Sequence, residues 1–446
     1  MRLGRVHLFV AFAFTVMADP VSSVAYAIEA ALRALDGDPA SLVATMAVVV
    51  AIVFVVVATY HQLIGRFPSG AGGPKAVAFA FGDGWVFLPL GALLVDFTLT
   101  VAVSCSAGAA AAIAYLPELA DARLPLALAL AGSVAIGVLA GHRGRVGFAI
   151  ATQAFLLMAA VVIVAGIFAD PVAGGGGGVE ASSSPLLADA SFAAVLIAFP
   201  LGMALATGIE APSDAIAQLP QLPDGGRRLF GRLTLWLMVS IVGGLTLSFA
   251  ALAVYLGVGL PDGESTLLAD IARQAVGDGW PLAAFQAVSA LLLLGAAASS
   301  YLAGSGVLKA LAELGPKGER GLLPDRLRLE NRFLVAHWGV FTVLAVALAM
   351  ILAAGGDEQK LVQFYAVSVF ASFLAATLGA ARLSHRDGQR GAMAVNLLGA
   401  LLVAAVLALN LTRLDSAIAL AASLAVALYL WRVWVARGRP DGLAEA

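Results

Sequence analysis

The sequence predicts an all-α polytopic membrane protein with 12 transmembrane helices. Of its 446 residues, 61% are hydrophobic and only 12% are charged, and the mean hydropathy is +0.95. Soluble domains are about 45–50% apolar and about 25% charged. The second observation is the number of long apolar stretches, and the third is the uneven distribution of Lys and Arg between the segments that connect them. Together they exclude a soluble enzyme and a disordered chain.

Twelve stretches reach the ~20 mainly apolar residues that are needed to cross a hydrocarbon core ~30 Å thick. We divide them into a first repeat of five spans (1–170), a second repeat of five spans (190–382) and two further spans (390–436), with no soluble domain. The two repeats are expected to be inverted, so that spans 1 and 6 correspond. In order, the spans lie near 6–33, 41–64, 85–114, 124–141, 145–169, 190–218, 231–258, 281–313, 332–354, 361–382, 390–410 and 413–436.

The positions of Lys and Arg predict the orientation, because cytoplasmic connections are enriched in both. With the N-terminus inside, all but five of the 26 basic residues fall on the cytoplasmic side. We therefore expect a multi-pass protein of a bacterial-type plasma (inner) membrane with both termini cytoplasmic. Residues 2–27 also have the pattern of a secretory signal peptide. Cleavage of such a peptide would remove the asymmetry of Lys and Arg between the two sides, so span 1 is expected to be retained. The five external residues are Arg33, Arg123, Arg273, Lys360 and Arg413.

Three acidic residues are predicted to lie within spans: Asp19 in span 1, Asp96 in span 3 and Glu210 in span 6. A carboxylate at mid-membrane costs about 2.5–3.5 kcal/mol on insertion scales, so such residues usually face the bundle interior and carry function. The alternative for each is a protonated or hydrogen-bonded packing residue. Three such acids, each accompanied by hydroxyl groups, favour a functional site.

Spans 1 and 6 also contain residues that interrupt a helix. Pro20 follows Asp19, and span 6 contains Pro200, Gly202, Gly208 and Pro212. Proline removes a backbone donor and clashes with the preceding turn. Interrupted helices in corresponding positions of two repeats indicate the midplane binding site of a transporter.

Hydroxyl groups accompany the three acids. Thr100 is four residues beyond Asp96, so this pair shares a helix face, and Thr207 and Glu210, three residues apart, share one wherever the backbone remains helical. Carboxylates, hydroxyls and freed carbonyls are the ligands of a dehydrated cation. Asp19 would repel the carboxylate of an amino acid, so the electrostatics favour a small cation as substrate. The hydroxyls of span 1 are Ser22, Ser23 and Tyr26.

These residues carry a resemblance to a known family. The chain resembles the amino acid–polyamine–organocation superfamily, and within it the KimA-like potassium uptake transporters. The resemblance depends on the order Asp-x-x-Ser-Ser-x-Ala-Tyr at 19–26, on the Asp-Phe-Thr-Leu-Thr motif at 96–100 and on Thr-Gly-Ile-Glu-Ala at 207–211. The stretch 361–370 is similar to span 10 of that family, and 303–324 to the end of its span 8 and the following loop.

The resemblance implies potassium–proton symport by alternating access. It places potassium at Asp19, Tyr26, Thr207 and Glu210, with Ser22 and Ser23 in the same site and Asp96 and Thr100 on the neighbouring helix. Asp19, Asp96 and Glu210 are the candidates for carrying the coupled proton. The expected partners are the small cation and the lipid bilayer, with no cofactor beyond the transported K⁺ and H⁺. A homodimer is the assembly that the family suggests, although this sequence ends about ten residues after span 12, without the family's long C-terminal domain.

Several alternatives stay open. A proton-coupled amino acid permease has the same fold but needs a glycine-rich break in span 1, where Asp19 and Pro20 stand here. Ser299 and Ser300 in span 8 suggest a second cation site, for sodium, although serines in such helices more often make packing contacts.

An enzyme and a membrane scaffold are disfavoured, because no catalytic or metal motif and no soluble domain is found. The glycine-rich segment 70–75 lacks P-loop spacing and is expected to be the cytoplasmic turn between spans 2 and 3. The net charge of −2 excludes a nucleic-acid binder.

Overall fold

The computed structural model describes residues 2–141, 143–171, 191–313 and 321–440. Over these residues the chain is almost entirely helical, and its only β-structure is one antiparallel bridge between Glu330 and Ala336. Eleven helices in this part of the chain are long and apolar enough to cross a membrane. The prediction of an all-α polytopic membrane protein is therefore confirmed. The prediction that its first two groups of five spans are inverted repeats is not tested by these helices and stays a prediction.

The predicted spans 2–12 each correspond to a helix or to a broken helix. Additional, shorter helices lie in the segments that connect the spans. In chain order the helices are α1 (Arg2–Val16), α2 (Ala18–Ser22), α3 (Val24–Ala34), α4 (Leu42–Arg66), α5 (Gly72–Phe81), α6 (Phe87–Ile113), α7 (Arg123–Leu139), α8 (Arg143–Ile167), α9 (Phe192–Gly202), α10 (Ala211–Ala215), α11 (Asp224–Leu256), α12 (Leu267–Val276), α13 (Trp280–Glu313), α14 (His337–Ala354), α15 (Glu358–Arg386), α16 (Arg390–Asn410) and α17 (Leu414–Ala436).

Predicted span 1 (6–33) is divided into α1, α2 and α3, which is why eleven and not twelve helices are long enough. The interruptions fall at Met17 and Ser23, on either side of the expected position at Pro20. Both residues keep right-handed helical angles, with φ −74° and ψ −10° at Met17 and φ −63° and ψ −24° at Ser23. Pro20 lies in the first turn of α2, where a missing N–H is tolerated. The helix is locally distorted here but its backbone is not unwound.

Span 6 contains a true break. The helix α9 ends at Gly202 and continues as a 3₁₀ turn, Met203–Ala206. Thr207 is extended, with φ −66° and ψ 142°, and Gly208 has a left-handed φ of +74°. The chain becomes helical again at Glu210 and enters α10. The backbone between Thr207 and Glu210 therefore forms three-residue turn hydrogen bonds, such as Ala211 N to the Gly208 carbonyl at 3.0 Å, in place of regular α-helical ones.

The centre of the bundle is formed by α6 and α15, which pack against each other. Their most apolar windows are 78% and 71% buried, compared with 28% for α7, α16 and α17. The distorted α2 packs against α13, and α3 packs against α9. Spans 1 and 6 also contact the enclosed α15, through α3 and α9, so a polar site between them is shielded from lipid.

Two helices were not predicted. The segment 70–75, expected to be a turn, instead leads into α5, which is largely buried and packs against α15. Ala71 takes left-handed angles immediately before this helix, so the turn is confined to the residues around Gly70. The amphipathic α12 lies in the connection between spans 7 and 8 and packs against α8.

Candidate functional site

Asp19 lies where spans 1 and 6 approach each other most closely. A Cβ added at Gly208 would come within 3.0 Å of Asp19 Oδ2 and within 2.9 Å of Pro20 Cδ. The left-handed φ of Gly208 and the absence of its side chain together allow this approach. The break in span 6 therefore places its backbone directly beside the acid of span 1.

A chain of hydroxyl groups joins the same two spans. Ser23 Oγ lies 2.7 Å from Thr207 Oγ1 and 3.0 Å from the phenol oxygen of Tyr26. Thr207 Oγ1 also donates to the Ala204 carbonyl at 3.1 Å. All three side chains are buried. Since Thr207 is extended, its hydroxyl projects from the break and reaches span 1.

A second hydroxyl pair connects spans 3 and 10. Thr100 Oγ1 lies 2.7 Å from the phenol oxygen of Tyr365 on α15. The rings of Tyr365 and Tyr26 meet edge to face with centroids 6.2 Å apart. Tyr365 was missed as a site residue, although it stands in the stretch 361–370 that carries part of the resemblance. A tyrosine in a largely apolar span is the signal that could have identified it.

The three predicted intramembrane acids each retain one unpartnered oxygen. Asp19 Oδ1, Asp96 Oδ1 and Glu210 Oε2 are buried and accept no hydrogen bond. The three carboxyl groups are close enough to interact electrostatically. Buried carboxylate oxygens are normally hydrogen-bonded or bound to a cation. Three unsatisfied oxygens in one region point to a ligand of positive charge, or to protons.

The groups of the site that could bind a cation are of different chemical types. No group of three or more His, Cys, Asp or Glu side chains in the described ranges is arranged to hold a metal ion. The three acids therefore do not form a tight multi-carboxylate centre of that kind. They surround hydroxyls and broken backbone, which suits a weakly bound monovalent cation that must also leave.

Two further sets of predicted site residues lie beside these carboxyl and hydroxyl groups. Ser22 Oγ donates to the Asp19 carbonyl at 2.7 Å, so its hydroxyl is used within span 1. In α13, which packs on α2, Ser299 Oγ donates to the Ala296 carbonyl, whereas Ser300 Oγ is buried without a partner. Ser300 is thus the better placed of the two for a second cation, which stays a prediction.

Three further acids are wholly or partly buried, and two of them, Glu29 and Asp214, fall inside the bounds predicted for spans 1 and 6. Glu29 and Glu358 are buried, and Asp214 has a buried, unpartnered Oδ1. Two of these have a sequence signal, because Asp214 follows Glu210 by four residues and Arg33 follows Glu29 by four. That spacing places each pair on one helix face. The statement that only three acids lie within the bundle was therefore wrong.

Comparison with known proteins accounts for nearly the whole chain. Residues 8–432 match the family model described as "Amino acid permease". The chain belongs to this family. The predicted membership of the amino acid–polyamine–organocation superfamily is thereby confirmed, and so is a multi-pass membrane protein.

The chain is also similar to a relative named "Potassium transporter KimA" from Bacillus subtilis (strain 168). The two are 28% identical over 397 residues, which cover 86% of this chain and 63% of the relative. The chain therefore spans less than two thirds of the length of that relative. Both comparisons indicate a transporter.

Proposed function

We propose that the protein imports potassium together with a proton by alternating access. The observation that carries this proposal is the set of three unpartnered carboxylate oxygens, on Asp19, Asp96 and Glu210, around the hydroxyls of spans 1 and 6. Potassium would be held by Asp19, Tyr26, Thr207 and Glu210. Asp96 and Thr100 border the site on span 3. The name of the Bacillus subtilis relative supports the same substrate.

The alternative from the family name is a proton-coupled amino acid permease. Its substrate carboxylate would need free backbone N–H groups at a break in span 1. Here Val21 N donates to the Met17 carbonyl at 3.0 Å and Ser23 N to the Asp19 carbonyl at 3.3 Å. These amides are occupied, and the nearby carboxyl group of Asp19 would repel the substrate's. The local structure of span 1 thus favours a cation.

The coupled proton would be carried by one of the three acids. Protonation of one carboxyl group removes one negative charge from the site. The site then carries less net charge while it changes from outward-facing to inward-facing. Inward movement of each monovalent cation gains about 2.3 kcal/mol per 100 mV of inside-negative potential. A symporter that moves K⁺ and H⁺ together gains from both charges. In this mechanism spans 1, 2, 6 and 7 rock against the remaining helices around the site.

Rubidium uptake into proteoliposomes tests the proposal. We expect uptake that potassium competes for, that external acidity increases and that an amino acid mixture does not inhibit. Asp19→Asn and Glu210→Gln are expected to reduce uptake at least ~10-fold, because each removes a charged ligand oxygen. Asp121→Asn and Glu264→Gln are matched controls, since both acids are exposed outside the spans.

Two results would contradict the proposal. Normal uptake by both site variants would exclude the cluster as the ion site. Inhibition of rubidium uptake by amino acids, with uptake of a labelled amino acid by the same vesicles, would establish the permease alternative instead.

A further inference from the structure

A small cavity lies directly beside Tyr26, towards the side that the charge pattern predicts to be extracellular. Its free volume of about 20 Å³ is enough for one water-sized particle. The phenol oxygen of Tyr26 lies 3.0 Å from Ser23 Oγ in the candidate site. Tyr26 therefore contacts both the cavity and the site. Its polar lining consists mainly of Tyr26, Glu29, Gln286, Ser289, Glu358 and Gln359.

Gln359 gives the first indication of a ligand in this cavity. Its side chain is 8% exposed, yet neither Oε1 nor Nε2 has a hydrogen-bond partner. Burying an amide group without partners is costly, so native proteins rarely leave both of its polar atoms unsatisfied. The Gln359 amide lines the cavity, and a bound ion or water there would satisfy it.

The two acids of the cavity differ in how many hydrogen bonds their carboxyl oxygens accept. Glu29 accepts from Arg33 through Oε1 and from the Leu267 amide through Oε2, at 2.8 and 3.0 Å. Glu358 Oε2 lies 3.5 Å from the Arg123 guanidinium and accepts no hydrogen bond. Glu358 therefore retains the capacity to bind a ligand, whereas Glu29 is held in place as a fixed negative charge.

The remaining lining groups are also oxygen donors. Ser289 Oγ donates to the Phe285 carbonyl at 2.7 Å, so its lone pairs stay free to accept a cation. Gln286 Nε2 donates to the Ala111 carbonyl at 3.1 Å, which fixes the orientation of that amide. Two carboxyl groups in the wall disfavour an anion. The chemistry of the lining suits a partly dehydrated monovalent cation.

We propose that this cavity is an outer binding station for the transported cation, which is held there by Glu358, Gln359 and Ser289 before it passes Tyr26. The inference rests on the proposed function and adds to it a second site on the same path. The Arg123–Glu358 contact closes the station on its outer side. An entering ion replaces Arg123 as the partner of Glu358.

Anomalous diffraction from crystals of the full chain grown in rubidium tests binding directly. We expect a rubidium peak between Glu358 and Gln359, and its loss in Gln359→Leu. A peak in this cavity establishes that the cation binds there, and the uptake kinetics then test whether the bound ion lies on the transport path. A cavity that contains only water, or nothing, in rubidium-soaked crystals of the wild type overturns it.

Uptake kinetics test the role of the station. Gln359→Leu is expected to raise KM for external rubidium ~10-fold, with Vmax within about twofold, because one ligand of the entering ion is lost. KM measured from the opposite side of the membrane should not change. Gln274→Leu is the matched control, since Gln274 lies on α12 and donates to the Asp170 carbonyl outside the cavity.

The outcomes separate the two proposals. Absence of any rubidium uptake by the wild type overturns the proposed function, while the diffraction experiment still decides whether the cation binds in the cavity. Uptake by the wild type with an unchanged external KM in Gln359→Leu overturns the station alone. An equal fall of Vmax in both directions would show that Gln359 is only structural, and also overturns it.

Discussion

Gly208 shows how one residue determines the geometry of the candidate site. Its φ of +74° places a left-handed residue between Thr207 and Glu210, where the helix of span 6 is broken. Its lack of a side chain lets the carboxyl group of Asp19 approach the break. Glycine takes a positive φ without steric cost, and only glycine lacks a side chain. Because Gly208 lies between them, the hydroxyl of Thr207 and the carboxyl group of Glu210 point in different directions than they would on a continuous helix.

Gly208→Ala is expected to disable the site. The left-handed conformation costs an alanine about 1–2 kcal/mol, and its Cβ would lie 2.9 Å from Pro20 Cδ and 3.0 Å from Asp19 Oδ2. We expect loss of rubidium uptake and a lower unfolding temperature in detergent. Gly244→Ala is the control, because a Cβ there meets nothing within 4 Å. Equal uptake by both variants would show that the close approach of spans 1 and 6 is not needed.

The residues of the site were only partly predictable from the sequence. An acid in an apolar span is costly wherever it points, so Asp19, Asp96 and Glu210 were identifiable without coordinates. Tyr365 was missed, because a tyrosine in an apolar span is a weaker signal than an acid and its partner, Thr100, is 265 residues away in the chain. Gln359 was missed for a related reason: an amide at the start of a helix is ordinarily exposed, and its burial depends on α3 and α13.

At the scale of elements, the break in span 6 is held by a contact from outside the repeats. Asn410, the last residue of α16, donates through Nδ2 to the Pro200 carbonyl at 3.3 Å. The helix α9 ends two residues after Pro200, so that carbonyl lies where regular helical bonding stops. Asn410 is fully buried. Span 11 thus supports the end of α9 next to the 3₁₀ turn.

Asn410→Leu is expected to alter transport through this contact. Loss of the side-chain donor leaves a buried carbonyl without that partner, which costs about 1–3 kcal/mol. We expect lower stability together with a change in KM for rubidium, because Thr207 lies only seven residues beyond Pro200. Asn396→Leu, in the same helix, removes hydrogen bonds to Gln62 and Ser384 and should lower stability without changing KM. A KM changed equally by both would rule out a specific role for Asn410.

The elements missed from the sequence have physical reasons for being missed. The helix α5 begins with two glycines and a proline, which ordinarily mark a turn. Its ten residues are too few to cross a membrane, and it forms because it is buried against α15. In span 1 the helix was expected to break or kink at Pro20; its interruptions fall three residues to either side, at Met17 and Ser23, and Pro20 itself occupies the first turn of α2, where its ring is tolerated.

At the scale of the whole molecule, the charge distribution makes a prediction about orientation. Cysteines introduced at exposed Asp278 and exposed Gln389 are expected to lie on opposite sides of the membrane. In intact cells, a membrane-impermeant maleimide should label Asp278→Cys and not Gln389→Cys. The native Cys105 is fully buried, so the unmodified chain is the control for background. Labelling of Gln389→Cys alone would reverse the predicted orientation.

The overall architecture was more predictable than any single contact. Eleven of the predicted spans reappear because membrane thickness fixes the minimum length of an apolar helix. Hydropathy alone could not say which spans are central, since α6 and α16 are both apolar but differ greatly in burial. That difference comes from packing partners, such as α15 against α6, which a single sequence does not specify.

The unequal burial of the helices has a consequence for how the protein responds to bilayer thickness. The weakly covered α7, α16 and α17 present most of their surface to lipid, whereas α6 and α15 contact it little. A thinner or thicker bilayer is accommodated by tilting the helices that touch it. The outer helices should therefore absorb most of the mismatch, and the proposed ion site, which Thr100 of α6 and Tyr365 of α15 border, would keep its dimensions in membranes of different lipid composition.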